Sequence, residues 1–243
     1  MSTTITFLRI KRAIEKSNEC FLCDLETEIE RKYLDNYLSE LVMDAKARQQ
    51  IIVSRGFCNQ HSFKLLIEAS KPIISDGHGI ALIMQSVTEQ LIQDTTEHTR
   101  HHNHSFREML VNEEKCPACT HIDEFLRMYL KETALLLSSN KEFSKLFIGS
   151  KGLCVPHFVT MIRVLEEGKH DQSQNTAATI LEVEKQNLQR VHSELSEYVR
   201  RQSYEFSERE RASTANILLR SVEKLAGRRG IKTDQQTHGV NLT

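Results

Sequence analysis

One spacing occurs twice and constrains this chain more than any other feature. Cys20, Cys23, Cys58 and His61 follow the order C-x2-C-x34-C-x2-H, and so do Cys116, Cys119, Cys154 and His157. The second set lies 96 positions after the first at every one of these residues, and together the sets use all six cysteines. Three thiolates and one imidazole form a tetrahedral donor set for Zn2+, and four protein donors make a structural site; a catalytic zinc keeps one position for water. Sulfur donors favour zinc, with an iron-sulfur cluster or Cu(I) as other candidates, over magnesium or calcium. Two zinc ions are therefore the expected cofactors. Each set is complete by itself, so the simplest expectation closes each centre within its own repeat. The alternative shares ligands between repeats, joining Cys20 and Cys23 to Cys154 and His157.

The rest of the chain reads as helix. Only nine glycines and three prolines punctuate 243 residues, and good helix formers are frequent. From Asp24 to Ile52, apolar residues such as Leu25, Ile29, Leu34, Leu38 and Leu41 recur at three and four, which predicts one long helix or two joined near Asp44. Gly56 breaks the pattern, and Cys58 and His61 open the next helix, where residues three apart share a face. Gly77-His78-Gly79 reads as a plain helix start. Tyr129, Leu130 and Leu137 stand 96 positions after Tyr33, Leu34 and Leu41, as Gly152-Leu153 stands after Gly56-Phe57. Shared apolar and ligand positions with divergent surfaces are what an internal duplication leaves. Phe21, Phe57 and Leu153 are expected to shield the ions, and Lys16, Lys115 and knuckle N–H groups to offset the thiolate charge.

The predicted fold class is all-α: an internally duplicated helical domain with two zinc-like centres and long C-terminal helices. Its expected divisions are a first repeat over 1–75, a connecting helix over 76–110, a second repeat over 111–170, a C-terminal helical pair over 171–227 and a polar tail over 228–243. In that pair, Leu181, Leu188 and Leu195 stand seven apart like a coiled-coil seam that Glu184 interrupts. A final helix over Glu208–Ala226 is predicted to turn Ala215, Leu218, Leu219, Val222 and Leu225 inward and to stop at Gly227. These helices are the expected surface for a protein partner or a second copy.

Charge and motifs exclude several functions. Lys plus Arg total 32 and Asp plus Glu 33, a balance that gives no general attraction to nucleic acid or anionic membrane. Arg200, Arg201, Arg209, Arg211, Arg220, Arg228 and Arg229 are interspersed with glutamates, which argues for a solvated face and against nucleic acid. The N-terminus has no signal-like apolar stretch, so a cytoplasmic location without membrane insertion is the default. No nucleotide loop, H-E-x-x-H or nucleophile elbow occurs. His98, His101, His102 and His104 form the densest histidine group, the alternative candidate for a catalytic or third metal centre.

The elements Cys116-Pro117-Ala118-Cys119 and Gly152-Leu153-Cys154-Val155-Pro156-His157 resemble an uncharacterised prokaryotic domain-of-unknown-function family with duplicated C-P-x-C and G-F/L-C-x-x-H motifs. The first copy, Cys20-Phe21-Leu22-Cys23 with Gly56-Phe57-Cys58-Asn59-Gln60-His61, lacks the knuckle proline but keeps the ligand types. The resemblance covers most of residues 10–227, implies duplicated metal-binding sites and brings no activity. The expected function is accordingly a zinc-binding scaffold or interaction protein. The alternatives are a redox or metal-responsive sensor, or an enzyme with a histidine-lined centre between the repeats.

Overall fold

The computed structural model describes residues 4–70, 77–101, 115–167 and 172–229. Among the described residues every regular element is helical. In chain order these are α1 (Thr4–Lys16), α2 (Phe21–Asn36) with a π-helical turn (Tyr37–Leu41), α3 (Ala45–Val53), α4 (Asn59–Ala69), α5 (His78–His101), α6 (Pro117–Ser139), α7 (Lys141–Ile148), α8 (Val155–Glu167), α9 (Gln172–Arg201), α10 (Glu208–Ala212) and α11 (Asn216–Ala226). No helix is long and apolar enough to cross a membrane among the described residues.

Local chemistry sets these boundaries. The predicted join near Asp44 is an N-cap, where the Asp44 carboxylate accepts the Ala47 N–H at 2.7 Å. Asn140 caps α7 in the same way, accepting from Phe143 N at 3.0 Å. Such caps satisfy donors that the first helical turn leaves without partners. Helices α2, α3 and α4 start at residues 21, 45 and 59, and α6, α7 and α8 each start 96 positions later. The recurrence seen in the ligands thus extends to the helix starts.

Two compact units divide the chain, one of residues 1–27 and 125–243, the other of residues 28–124. The second unit is built around Leu34, Tyr37, Ile51, Phe57, Leu65 and Ile83. There the Tyr37 ring meets Phe57 edge-on at 5.2 Å and its hydroxyl donates to Ala47 O, so a buried aromatic keeps its polar tip satisfied. Helix α5 packs on α3 and α4. In the first unit Phe21 stands edge-on to Phe147, and α9 packs against α8 and α11.

The C-terminal helices depart from the sequence expectation. Leu181 is 52% exposed, and the buried stripe of α9 runs one residue over, through Ile180, Val183, Glu184, Asn187 and Val191. A single packed helix buries positions near 3.6 spacing, whereas the leucines follow the sevenfold spacing of a supercoil. Glu184, which breaks the leucine seam, is itself inside. The predicted final helix is two, α10 and α11, separated at Ser213–Ala215. Helix α11 turns Ile217, Ser221 and Lys224 inward and leaves Leu219, Val222 and Leu225 exposed. The expected inward face was thus wrong, because Lys224 has a buried anion to meet.

Candidate metal centres

Each cluster joins the Cys-Cys pair of one C-x2-C-x34-C-x2-H set to the Cys-His pair of the other, which corrects the expectation that each set closes on itself. Cys20, Cys23, Cys154 and His157 form one cluster, the first centre, and Cys58, His61, Cys116 and Cys119 form the other, the second centre. Each lies wholly within one compact unit. The physical reason is unequal helix length. The outward leg, α2 with its π turn, is about 31 Å long and the return leg α3 only about 13 Å, at 1.5 Å per residue. The excursion from the Cys20 knuckle therefore does not close on itself. Helices α6 and α7 are unequal in the same sense.

Every clustered Cys and His stands at a helix N-terminus. Cys20 precedes α2 and Cys23 lies in its first turn, where its N–H donates to Cys20 O. Cys154 precedes α8 and His157 lies in its first turn; Cys58 and His61 are placed likewise on α4, and Cys116 and Cys119 on α6. Two helix N-termini thus converge on each centre. Their partial positive charge offsets the net −1 that three thiolates leave on a divalent ion.

The spacing fits a tetrahedral ion. Ligands at about 2.3 Å for sulfur and about 2.05 Å for nitrogen lie about 3.8 Å apart for S···S and about 3.6 Å for S···N. In the first centre Cys23 Sγ is 3.6 Å from Cys154 Sγ, and His157 Nδ1 is 3.4, 3.5 and 3.2 Å from the sulfurs of Cys20, Cys23 and Cys154. In the second, Cys58 Sγ is 3.8 Å from Cys119 Sγ, and His61 Nδ1 is 3.2, 3.5 and 3.4 Å from the sulfurs of Cys58, Cys116 and Cys119. All six cysteines are free thiols, and these separations far exceed the roughly 2.05 Å of a disulfide.

The protonation pattern is that of ligands gathered against their own repulsion. Burial pushes the Cys119 thiol up to about 12, helped by the neighbouring Cys116 and Cys58 charges. Burial also opposes charge on Cys116, but hydrogen bonding from His61 wins and brings it down to about 6. Burial resists protonation of His61, yet Cys116 and Glu30 raise it to about 10. In the first centre burial raises Cys20, while hydrogen bonds from Cys154 and Cys20 lower Cys23. A divalent cation supplies the positive charge that these sulfurs otherwise draw from protonated histidine.

Candidate metal centres and their surroundings

The chain belongs to a family of unknown function, DUF6062, whose model matches residues 1–232; membership brings no activity, so the role of the centres has to be read from what surrounds them. No curated protein and no solved structure matches the chain.

Each histidine turns Nδ1 to the sulfurs and Nε2 to a carboxylate. His157 Nε2 is 3.3 Å from Glu26 Oε2, and His61 Nε2 is 2.9 Å from Glu30 Oε1. Such an outer carboxylate fixes the ring and its tautomer and strengthens the imidazole as a donor. Glu30 is held in turn by Lys64 Nζ at 2.5 Å and Gln60 Nε2 at 3.2 Å, and Arg229 Nε lies 3.4 Å from Glu26. Sequence reasoning missed both glutamates. They stand one helical turn apart on α2, and their counterparts 96 positions on are Ile122 and Leu126. The available signal was local: Glu26 follows Cys23 by one turn, beside the apolar stripe of Leu25 and Ile29. Replacing Glu30 by glutamine is expected to weaken metal binding at the second centre about 10- to 100-fold without changing the first. Competition with a chromophoric chelator measures this, and unchanged affinity would remove Glu30 from the site.

The first centre is also braced by ion pairs. Glu19, next to Cys20 and buried, receives Arg190 Nη2 at 2.5 Å and Arg220 Nε at 2.8 Å. Glu184 Oε1 accepts the Leu153 N–H at 2.6 Å, and its Oε2 accepts from Lys224 Nζ at 2.7 Å. Lys224 donates further to the carbonyls of Leu153 (2.6 Å) and Lys151 (2.9 Å) and is fully buried. Helices α9 and α11 thereby grip the turn that presents Cys154. Phe21, Phe57 and Leu153, the chain neighbours of Cys20, Cys58 and Cys154, are buried.

Other sequence candidates fare differently. His98 and His101 fall in the last turn of α5, but their side chains, and all of His102 and His104, lie outside the described residues. The arginines are largely engaged: Arg200 and Arg201 pair with Glu197, Arg220 with Glu19 and Glu194, and Arg228 with Asp24. Arg200 also stacks over Phe206 at 4.8 Å.

Proposed function

We propose that this protein is a zinc-binding helical scaffold whose two centres, Cys20/Cys23/Cys154/His157 and Cys58/His61/Cys116/Cys119, are structural, and that it works by presenting a surface to a protein partner. The observation that carries this is the donor set: each cluster holds three sulfurs and one nitrogen at the edge lengths of a zinc tetrahedron. All four donors of each centre come from the chain, which leaves no open position for water or substrate and favours a structural over a catalytic ion. The eight candidate ligands come from four helix starts, so each bound ion would cross-link two of them. Exposed Leu219, Val222 and Leu225 on α11 support a protein partner, and the carboxylate-bound arginines speak against nucleic acid.

Elemental analysis with X-ray absorption at the bound metal tests this. The expected result is two zinc ions per chain, each with three sulfur neighbours near about 2.3 Å and one nitrogen near about 2.0 Å. Folded protein with six titratable thiols and no metal would overturn the proposal. A second reading, a redox-responsive centre, is favoured at one site by the unequal burial of the two clusters.

A further inference from the structure

The two clusters share a donor set and differ in what covers it. In the first, Cys20, Cys23, Cys154 and His157 are all buried, whereas in the second Cys58, Cys116 and Cys119 are residues of intermediate exposure, and at the cluster itself Cys58 and Cys119 are the two more open members beside Cys116 and the buried His61. At Gly227 the chain lies so close to the first centre that a Cβ there would sit 3.3 Å from Cys154 Sγ and 3.8 Å from Cys23 Sγ. The turn before Cys154 is fixed by Glu184 and Lys224. The corresponding turn before Cys58 differs: a Cβ at Gly56 would meet only the Val87 methyls, at 3.9 and 4.0 Å. Burial of thiolates and the cost of opening packed structure both restrict attack by small reagents.

Resting on the reading that both clusters hold zinc, we propose that the Cys58/His61/Cys116/Cys119 centre is an oxidant-responsive site, losing its ion when a hydroperoxide joins two of its sulfurs, while the other centre stays intact. The chemistry is balanced. A thiolate sulfur of this cluster attacks one oxygen of hydrogen peroxide and the O–O bond breaks, giving a sulfenic acid and hydroxide. A second thiolate attacks that sulfur, the S–O bond breaks, and a disulfide forms with release of another hydroxide. Two thiolates lose two electrons in all, the peroxide gains them, and solvent protonates both hydroxides to water. Cys58 and Cys119 are the assigned pair, with sulfurs 3.8 Å apart on α4 and α6. With those two thiolates oxidised, only Cys116 and His61 of this cluster would remain to hold an ion, too few to retain it. A neutral peroxide is not repelled by the negative charge of the three sulfurs.

The test uses the whole zinc-loaded chain. Hydrogen peroxide is added in slight excess, a chromophoric chelator follows released zinc, and peptide mapping after alkylation locates disulfides. The expected result is release of one ion about tenfold or more faster than the other, with the first disulfide joining Cys58 and Cys119 and reversal by dithiol plus zinc. Loss of both ions at one rate, or a first disulfide containing Cys20, Cys23 or Cys154, overturns the proposal and leaves the zinc reading standing. A chain with no zinc at the outset overturns both.

Discussion

Replacing Lys224 by methionine should destabilise the protein by about 3–5 kcal/mol, the range found when one member of a buried ion pair is removed. Lys224 has no exposed surface and makes three polar contacts, with Glu184 and with the carbonyls of Lys151 and Leu153. Methionine fills the volume but takes the Lys224 donor away from the buried Glu184 carboxylate, the buried Leu153 carbonyl and the part-buried Lys151 carbonyl. Glu184 limits the cost by taking up a proton, since burial already pushes its carboxyl up against the pull of Lys224. A carboxyl with its folded pKa above the unfolded value stabilises in acid and loses that contribution as pH rises. The penalty should therefore grow from the ordinary carboxylate range upward and shrink in acid. Denaturant unfolding of the zinc-loaded protein at pH 5 and pH 8 measures both. A loss below about 1 kcal/mol at pH 8 would show that the pair does not hold the Cys154 turn.

Gly152→Ala should cost roughly 2–5 kcal/mol, and Gly56→Ala only about 1–2 kcal/mol, although the two glycines occupy matching positions. Both have positive φ, 67° at Gly152 and 96° at Gly56, so alanine is strained at either. Only at Gly152 is the space also taken. A methyl there would lie 2.3 Å from Glu184 Oε1 and 2.9 Å from its Cδ, against 3.9 Å to the nearest Val87 methyl at Gly56. Long side chains usually swing away from such a clash, but Glu184 is held by Lys224 and by the Leu153 N–H. Moving it breaks charge-assisted hydrogen bonds as well. Parallel unfolding curves compare the variants, and equal losses would mean that Glu184 yields freely.

Much of this was legible beforehand. The eight residues that gather in the two clusters, the helical class, the Asp44 join and the Gly227 stop follow from rules confined to a few neighbouring residues: Cys/His spacing, capping and positive φ. The crosswise pairing stood only as the alternative, since the choice depends on the relative lengths of α2 and α3, and no turn signal fixes how far a helix carries a knuckle. Glu184 looked like a defect in a leucine seam because its partner Lys224 lies forty positions away on another helix. Burial of a charge makes sense only once its counter-charge is placed. Glu26 and Glu30 escaped notice for a related reason: they break the 96-residue recurrence that made the cysteines conspicuous.

The crosswise pairing also sets an order of events as the chain is made. When the first seventy or so residues have emerged, two pairs of ligands are present, and they belong to different centres. The Cys58 and His61 pair waits for Cys119, and the Cys20 and Cys23 pair waits longer, for His157. The second cluster is complete once Cys119 has emerged, near the middle of the chain, and the cluster that is completed last is the one that becomes most deeply buried. A chain cut between residues 61 and 116 separates the two halves of both clusters.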